Sequence, residues 1–210
     1  MRRGPNVRRI PIWVKVTHTS FVLVLVPVYW RHYGPGNFLW FSDVALLTAV
    51  PALWLEHRLL ASTQAVAILV PETLWALDFG AQLLTGNSAI GLADYMFDAT
   101  IPVPVRALSL FHLWLPPLLV WTVARLGYDR RAWLAQTVVT TMLLPASYLL
   151  TAPRENVNWV YGPGARPQTR VHPLLYLAGV MLFFPLCFQW PADALLRWAF
   201  GTPPERFDLR

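Results

Sequence analysis

The sequence predicts an all-α fold: a polytopic integral membrane protein with about six transmembrane helices, each kinked by proline. Three observations support this fold class. Hydrophobic residues make up 56% of the 210 residues, charged residues make up only 13%, and the mean hydropathy is +0.43. Because typical soluble domains contain about 25% charged residues, the composition excludes a water-soluble enzyme, a disordered chain and a nucleic-acid-binding module.

Six apolar segments approach the roughly 20 residues that an α-helix needs to cross a bilayer. They cover approximately residues 12–30, 38–55, 59–84, 106–125, 132–151 and 174–200. We expect the loops 31–37, 85–105 and 152–173 on the outer side, and the whole chain, 1–210, to form a single transmembrane domain. An alternative for the last segment is that it spans only to Trp190 and then lies along the interface.

Each predicted helix contains a proline site, which removes one backbone hydrogen bond and displaces the preceding turn. The sites are Pro27, Pro51, Pro71, Pro116–Pro117, Pro145 and Pro185. In a bilayer the freed carbonyl group needs a partner from a neighbouring helix, a hydroxyl or a water. Kinked helices enclose a cavity in some proteins and are merely tolerated in others, and the sequence leaves both alternatives open.

The distribution of basic residues predicts the orientation, because cytoplasmic loops of membrane proteins carry an excess of lysine and arginine. With both termini inside, only Arg31, Arg106, Arg154, Arg166 and Arg170 of the 17 basic residues fall on the outer side. The sequence therefore predicts a multi-pass protein of the inner (plasma) membrane with cytoplasmic N- and C-termini. We expect membrane lipids as partners, with other membrane subunits as an option, and no nucleic acid.

Three ionisable residues within the apolar segments are the strongest candidates for a functional site. Charged groups cost about 2.5–3.5 kcal/mol each at the centre of a membrane helix, so they usually face the bundle and serve a function. Asp43, Asp78 and His112 each lie about six residues, or roughly 9 Å, from the outer end of a different predicted helix. We therefore expect a polar site in the outer third of the bilayer, and we expect Glu72 to lie outside it, near the midplane.

Further along the chain, polar and aromatic residues near the same depth are candidates for substrate binding. Tyr148 belongs to a polar stripe of helix 132–151, and the outer loop that follows carries Asn156, Asn158, Trp159 and Tyr161. We expect this loop to fold over the polar site as a lid. Each of these residues also has a purely structural interpretation, because polar groups often join membrane helices and aromatic groups often form interfacial belts.

Three short motifs resemble a known family. They are Phe-Leu-Trp-Phe-Ser-Asp at 38–43, His-Leu-Trp-Leu-Pro-Pro at 112–117 and Trp-Val-Tyr-Gly-Pro-Gly-Ala-Arg at 159–166. In order and position they resemble the androgen-induced family of multi-span membrane fatty-acid-ester hydrolases, and more loosely related bacterial integral membrane proteins of unknown function. The resemblance implies threonine–histidine hydrolysis of fatty-acid esters inside the bilayer, with His112 as the histidine. Trp40 occupies the position of the family's threonine, and Ser42 is the nearest hydroxyl.

Two functions of different classes stay open, and with them the question whether the protein is an enzyme. The first is an intramembrane lipid-ester hydrolase or acyltransferase. It would use Ser42 or a threonine of helix 132–151 as nucleophile, His112 as general base, and Asp43 or Asp78 to orient the base. The second is a non-catalytic accessory or scaffold subunit of a larger respiratory or photosynthetic membrane complex, in contact with lipid, pigment or neighbouring subunits. A transporter is less favoured, because no inverted repeat is evident.

The sequence indicates no particular cofactor, and we expect no bound metal. The single cysteine, Cys187, can form neither an internal disulfide nor a cysteine-based metal cluster. The five histidines show no spacing typical of a metal site.

Overall fold

The computed structural model describes residues 10–164 and 166–201, and all regular secondary structure in these residues is helical. Its α-helices are α1 (Ile12–Tyr33), α2 (Phe41–Trp54), α3 (Arg58–Thr85), α4 (Val103–Leu108), α5 (Phe111–Leu126), α6 (Ala132–Leu150), α7 (Pro173–Phe183) and α8 (Trp190–Phe200). A π-helix, Phe184–Gln189, joins α7 to α8. Short 3-10 helices lie in the loops at Pro35–Leu39, Asp94–Phe97 and Val157–Trp159. The terminal arginines that contribute to the predicted orientation (Arg2, Arg3, Arg8, Arg9, Arg206 and Arg210) lie outside the described residues.

Five helical segments of the described chain are long and apolar enough to cross a membrane. They are Ile12–Tyr33, Arg58–Thr85, Val103–Leu126, Ala132–Leu150 and Pro173–Phe200. The prediction of an all-helical chain with several membrane-length helices is therefore confirmed. The remaining predicted helix, 38–55, forms α2 with only 14 residues, or about 21 Å at 1.5 Å per residue. Since the hydrocarbon core of a bilayer is about 30 Å thick, α2 alone is too short to span it.

The largest difference from the predicted boundaries concerns helix 106–125. The helical run begins earlier, at Val103, and a turn at Ser109 and Leu110 separates α4 from α5. Pro102 and Pro104 flank this start, where proline is favoured because its missing N–H group has no partner in the first helical turn. The predicted outer loop 85–105 is correspondingly shorter.

Prolines lie inside the helices without ending them. Pro27, Pro51, Pro71, Pro116, Pro117 and Pro145 are all interior to an α-helix. Pro185 instead lies in the π-helix, and its carbonyl accepts a hydrogen bond of 3.1 Å from the indole N–H of Trp133 on α6. The same carbonyl also accepts from the backbone N–H of Trp190, so the indole is a second donor that joins α6 to the π-helix.

Helix α3 lies in the middle of the bundle, where it contacts α2, α5, α6, α8 and the π-helix. Its first half is lined by small buried residues, namely Ala61, Ser62, Thr63, Ala65 and Ala67. Small side chains let neighbouring backbones approach closely, which is how helices commonly pack in membranes. Two ionisable residues of its second half, Glu72 and Asp78, are buried.

Ion pairs join helix ends at one end of the bundle. Lys15 Nζ, near the start of α1, lies 2.8 Å from Glu56 Oε1 in the connection between α2 and α3. Asp129, between α5 and α6, has Oδ2 3.8 Å from Nε of Arg58, the first residue of α3. The start of α1 and these two connections therefore share one end, so the loops that carry the 3-10 helices lie at the other.

Candidate functional site

A buried pair of side chains, Glu72 of α3 and His112 of α5, is the centre of the candidate site. His112 Nδ1 lies 2.5 Å from Glu72 Oε2, and the two side chains are only 13% and 8% exposed. Trp75, three residues after Glu72, stacks on the imidazole with 4.7 Å between ring centroids. Residues three apart share a helix face, so α3 presents a carboxylate and an aromatic ring to the same histidine.

The contact with Glu72 determines which nitrogen of His112 is available for chemistry. A carboxylate accepts hydrogen bonds, so Nδ1 carries the proton in this pair. Among the described residues, no hydrogen bond reaches Nε2. An imidazole held at Nδ1 by a carboxylate, with Nε2 free, is the arrangement that general-base histidines use.

Asp43 adds a second carboxylate to this region. It lies in the first turn of α2, is 3% exposed, and lies in the neighbourhood of His112 and Glu72. Its Oδ2 accepts a hydrogen bond of 3.4 Å from Asn37, whereas Oδ1 is buried without a hydrogen-bond partner in the described chain. The helix dipole stabilises negative charge at this position.

Hydroxyl groups from other elements lie in the neighbourhood of the pair. Tyr29 of α1 and Ser109, in the turn between α4 and α5, share a hydrogen bond of 2.6 Å. Tyr95, from the 3-10 helix Asp94–Phe97, packs near Trp75 with 6.4 Å between ring centroids. The site is thus assembled from α1, α2, α3, α5 and the loop that precedes α4.

Asp78 lies outside this cluster, contrary to the expectation that it joins Asp43 and His112. Its carboxylate accepts five backbone N–H hydrogen bonds, from Ala89 through Ala93, at 2.6–3.1 Å. These contacts hold the loop after α3 against the helix end. Because these five backbone N–H groups use both oxygens of the Asp78 carboxylate, its role is to anchor the loop that follows α3.

Ser42, the predicted nucleophile, is buried beside Asp43 at the start of α2. In the described part of the chain, no serine, threonine or tyrosine hydroxyl forms a hydrogen bond with His112. Nucleophilic attack by Ser42 therefore has no supporting contact in this conformation and stays a prediction.

In the loop between α6 and α7, Asn156 and Tyr161 form their hydrogen bonds with the loop itself and with the end of α6. Asn156 donates to the carbonyl oxygens of Gly162 and Gly164 at 2.8 and 2.7 Å, and accepts from the N–H of Tyr161 at 2.9 Å. The hydroxyl of Tyr161 donates to the carbonyl oxygen of Thr151 at 2.9 Å. These contacts close the loop into a compact unit.

Asn158 connects this loop to the start of α2. Its Oδ1 accepts from the N–H of Phe41 at 3.1 Å, and its amide group donates to the carbonyl oxygen of Leu39 at 2.7 Å. It also lies 3.1 Å from the hydroxyl of Ser147. Asn158 thereby caps a helix N-terminus that has no capping side chain of its own, two residues before Asp43.

Two of the predicted substrate-binding residues, Tyr148 and Tyr161, line a small cavity. Tyr148 and Tyr161 stack with 4.9 Å between ring centroids and line a cavity of about 250 Å³, to which Tyr176 of α7 also contributes. Trp159 instead packs near Phe184 of the π-helix. Substrate binding by these residues stays a prediction.

Sequence reasoning missed the contact between Glu72 and His112, because the helical run that contains His112 begins at Val103, earlier than predicted. The usable signal was the spacing of Glu72 and Trp75, which places a carboxylate and an indole on one face. Comparison of the chain with known protein families, with curated proteins and with solved structures finds no match. The resemblance carried by the three motifs therefore stays an expectation.

Proposed function

We propose that the protein is an intramembrane enzyme that transfers the acyl group of a lipid ester to water or to a lipid hydroxyl, with His112 as general base. The observation that carries this proposal is the 2.5 Å contact between Glu72 and Nδ1 of His112, with Nε2 left free. Ionisable groups are costly inside a bilayer, and a buried pair of this kind is poor evidence for stability alone.

In the proposed reaction, Nε2 of His112 removes the proton from the attacking hydroxyl while Glu72 orients the ring and stabilises the imidazolium. The oxygen forms a bond to the acyl carbon, the ester bond breaks, and the imidazolium returns the proton to the departing alcohol. The attacking oxygen comes from water or substrate, because no protein hydroxyl in the described chain contacts His112. Hydrolysis and acyl transfer differ only in which hydroxyl is bound.

Two neighbouring groups support this assignment. Asp43 has a buried Oδ1 without a partner among the described residues, which provides a hydrogen-bond acceptor within the site. The indole N–H of Trp75, on the ring stacked against His112, is buried without a partner among the described residues. A fixed N–H donor of this kind stabilises the negative oxygen of an acyl-transfer intermediate when it is aimed at that oxygen.

We test the proposal with the full chain in nanodiscs and a fluorogenic fatty-acyl ester. The wild type is expected to release the fluorophore, and His112→Ala to lower the rate about 10²–10⁴-fold, the usual contribution of a general base. His172→Ala is the matched control, because His172 is an exposed histidine at the start of α7. Ser42→Ala is expected to retain activity if water or lipid is the nucleophile. No acyl release or transfer above the His112→Ala level would refute the proposal.

We further propose six crossings of the inner (plasma) membrane, with cytoplasmic termini and membrane lipids as the partners. The sixth crossing would combine α2 with the 3-10 helix Pro35–Leu39 before it. The orientation is supported by the basic residues Lys15, Arg58, Arg130 and Arg131, which lie at the end of the bundle that contains the start of α1. Cysteine accessibility from each side of the membrane tests this arrangement.

A non-catalytic subunit of a larger membrane complex is the second candidate. It is favoured by the outer loop, in which Asn156, Asn158 and Tyr161 use their polar groups to stabilise the fold. In this role, Glu72 and His112 would simply join α3 to α5. Purification from native membranes distinguishes the two functions, because a subunit is recovered with a large complex and an enzyme with this site is active alone.

A further inference from the structure

A groove of about 560 Å³ lies between α1 and α5, apart from the Glu72–His112 site. Its wall is mainly aromatic and includes Trp13, Phe21, Trp114 and Trp121. The volume falls within the range of roughly 300–1,000 Å³ that is typical of small-molecule sites. Thr17 and His18 are the polar residues among those that line it.

The hydrogen bond of His18 to a backbone carbonyl determines what this groove can bind. His18 Nε2 lies 3.0 Å from the carbonyl oxygen of Leu46 on α2. A carbonyl oxygen only accepts, so Nε2 carries the proton. The ring is 3% exposed and packs edge-on against Trp114, surroundings in which a charged imidazolium would be costly. Nδ1 is therefore an acceptor, and it has no partner among the described residues.

Thr17 provides a second polar group on the same wall. Its side chain is exposed, and its hydroxyl forms no hydrogen bond within the described chain. Thr19, by contrast, donates to the carbonyl oxygen of Lys15 at 2.7 Å, the usual solution for a threonine in a membrane helix. The groove is thus lined by one unpartnered hydroxyl, that of Thr17, and by the ring of His18, whose unpartnered Nδ1 is buried in this structure. A ligand reaches Nδ1 by displacing the side chains that cover it.

We propose that this groove binds a membrane-soluble quinol, with one ring hydroxyl donating to Nδ1 of His18. The ligand must supply a donor, because Nδ1 accepts. An ammonium donor is excluded by the cost of burying charge in an apolar groove. A flat ring matches the indole-lined wall, where aromatic rings pack favourably, and an apolar tail matches the surrounding lipid.

The proposal requires the groove to distinguish the reduced ligand from the oxidised one. A quinone has two carbonyl acceptors and no ring hydroxyl, so it cannot donate to the neutral His18 ring. The same holds for a quinol whose hydroxyls are both methylated. The quinone and the dimethyl ether both leave one buried acceptor, Nδ1 of His18, unpaired. We therefore expect the dissociation constant of the quinol to be about tenfold lower than theirs.

The test is equilibrium binding of a decyl-tailed benzoquinol to the full chain in phosphatidylcholine nanodiscs, kept anaerobic. The quinol is expected to bind about tenfold more tightly than its dimethyl ether, its quinone and a long-chain aliphatic alcohol. Equal binding of the quinol and its dimethyl ether by the wild type would overturn the proposal, and equal binding of the aliphatic alcohol would overturn the choice of a ring ligand. This comparison needs no variant, so it stands even where a substitution disturbs folding.

His18→Phe then assigns the preference to Nδ1. Phenylalanine keeps a ring against Trp114 but has no hydrogen-bond acceptor, so quinol and dimethyl ether should bind with nearly equal affinity. His32→Phe is the matched control, because His32 is an exposed histidine at the other end of α1, and it should keep the full preference. A preference retained in His18→Phe would refute the role of His18.

Discussion

His112 and Glu72 share a 2.5 Å hydrogen bond across 40 positions of sequence, between helices α5 and α3. The helical run that contains His112 begins at Val103, so the histidine lies deeper in the bundle than a start at residue 106 implies. That extra depth brings it level with Glu72 instead of Asp78. The partner of the histidine is therefore Glu72, the carboxylate further from the end of α3 at Thr85, and not Asp78.

We expect Glu72 and His112 to be energetically coupled. Glu72→Ala and His112→Ala should each lower the free energy of unfolding by about 3 kcal/mol, because each leaves a buried polar partner unpaired. In the double variant, the loss of unfolding free energy should be smaller than the sum of the two single losses by at least about 1 kcal/mol. Reversible unfolding of all four proteins in one detergent measures this cycle.

His32→Ala combined with Glu72→Ala provides the control cycle, since His32 is exposed in the last turn of α1. This pair should be additive within about 0.5 kcal/mol. Additivity in the Glu72–His112 cycle itself would show that this contact does not contribute to the free energy of unfolding.

Much of the fold could be predicted from composition and apolar segment length alone. Membrane-length helices are specified by continuous runs such as 132–151, whose predicted bounds differ from α6 (Ala132–Leu150) by one residue. Helix ends within apolar sequence were harder to locate. Nothing in the run from residue 38 indicates that α2 begins at Phe41, because its cap is Asn158, 117 positions away.

The candidate site could be predicted only in part, for a related reason. The sequence identifies Asp43 and His112 as costly residues within apolar segments, but which carboxylate meets which histidine depends on helix rotation and exact depth. Asp78 illustrates this limit. Its five backbone donors come from a loop whose conformation no hydropathy pattern specifies.

Asp78→Asn should release the loop after α3. The amide replaces one acceptor oxygen with an N–H₂ group, which cannot accept from the backbone of Gly91, Leu92 and Ala93. We expect hydrogen exchange at amides 89–93 to accelerate by about tenfold or more, because local opening becomes easier. Asp94→Asn, an exposed change in the same loop, should leave exchange at these amides unchanged, and unchanged exchange in Asp78→Asn would contradict the anchoring role.

Asp129 should make stability depend on pH at the end of the bundle that contains the start of α1. Hydrogen bonds from Arg131 lower the pKa of the Asp129 carboxyl, with further contributions from the charges of Arg131 and Arg58, although burial opposes the shift. A carboxyl whose pKa is lowered by folding stabilises the protein above its unfolded pKa of about 3.9. That stabilisation is lost as the pH falls through the folded pKa.

Thermal unfolding between pH 6 and pH 3 measures this effect. The wild type should exceed Asp129→Asn in melting temperature at pH 6, and the difference should shrink as the pH falls below about 4. Arg131→Gln removes the main cause of the lowered pKa. In that background, adding Asp129→Asn should change the melting temperature at pH 6 by less than it does in the wild type. A difference between wild type and Asp129→Asn that is constant down to pH 3 would contradict the assignment.

Gly162 should be the least replaceable glycine of the loop between α6 and α7. A Cβ atom there would lie 2.5 Å from the backbone nitrogen of Gln168 and 2.8 Å from the carbonyl oxygen of Arg166. Both atoms belong to the backbone, so the loop closed by Asn156 must shift to accept even alanine. We expect Gly162→Ala to lower the free energy of unfolding by about 1–3 kcal/mol, the usual cost of overpacking.

Gly179→Ala in α7 is the matched control, because a Cβ there meets nothing within 4 Å and alanine favours the helix by up to about 1 kcal/mol. Equal stability of the two variants would show that the loop between α6 and α7 changes conformation at little cost. A loop of that kind could not hold Asn158 at the N-terminus of α2.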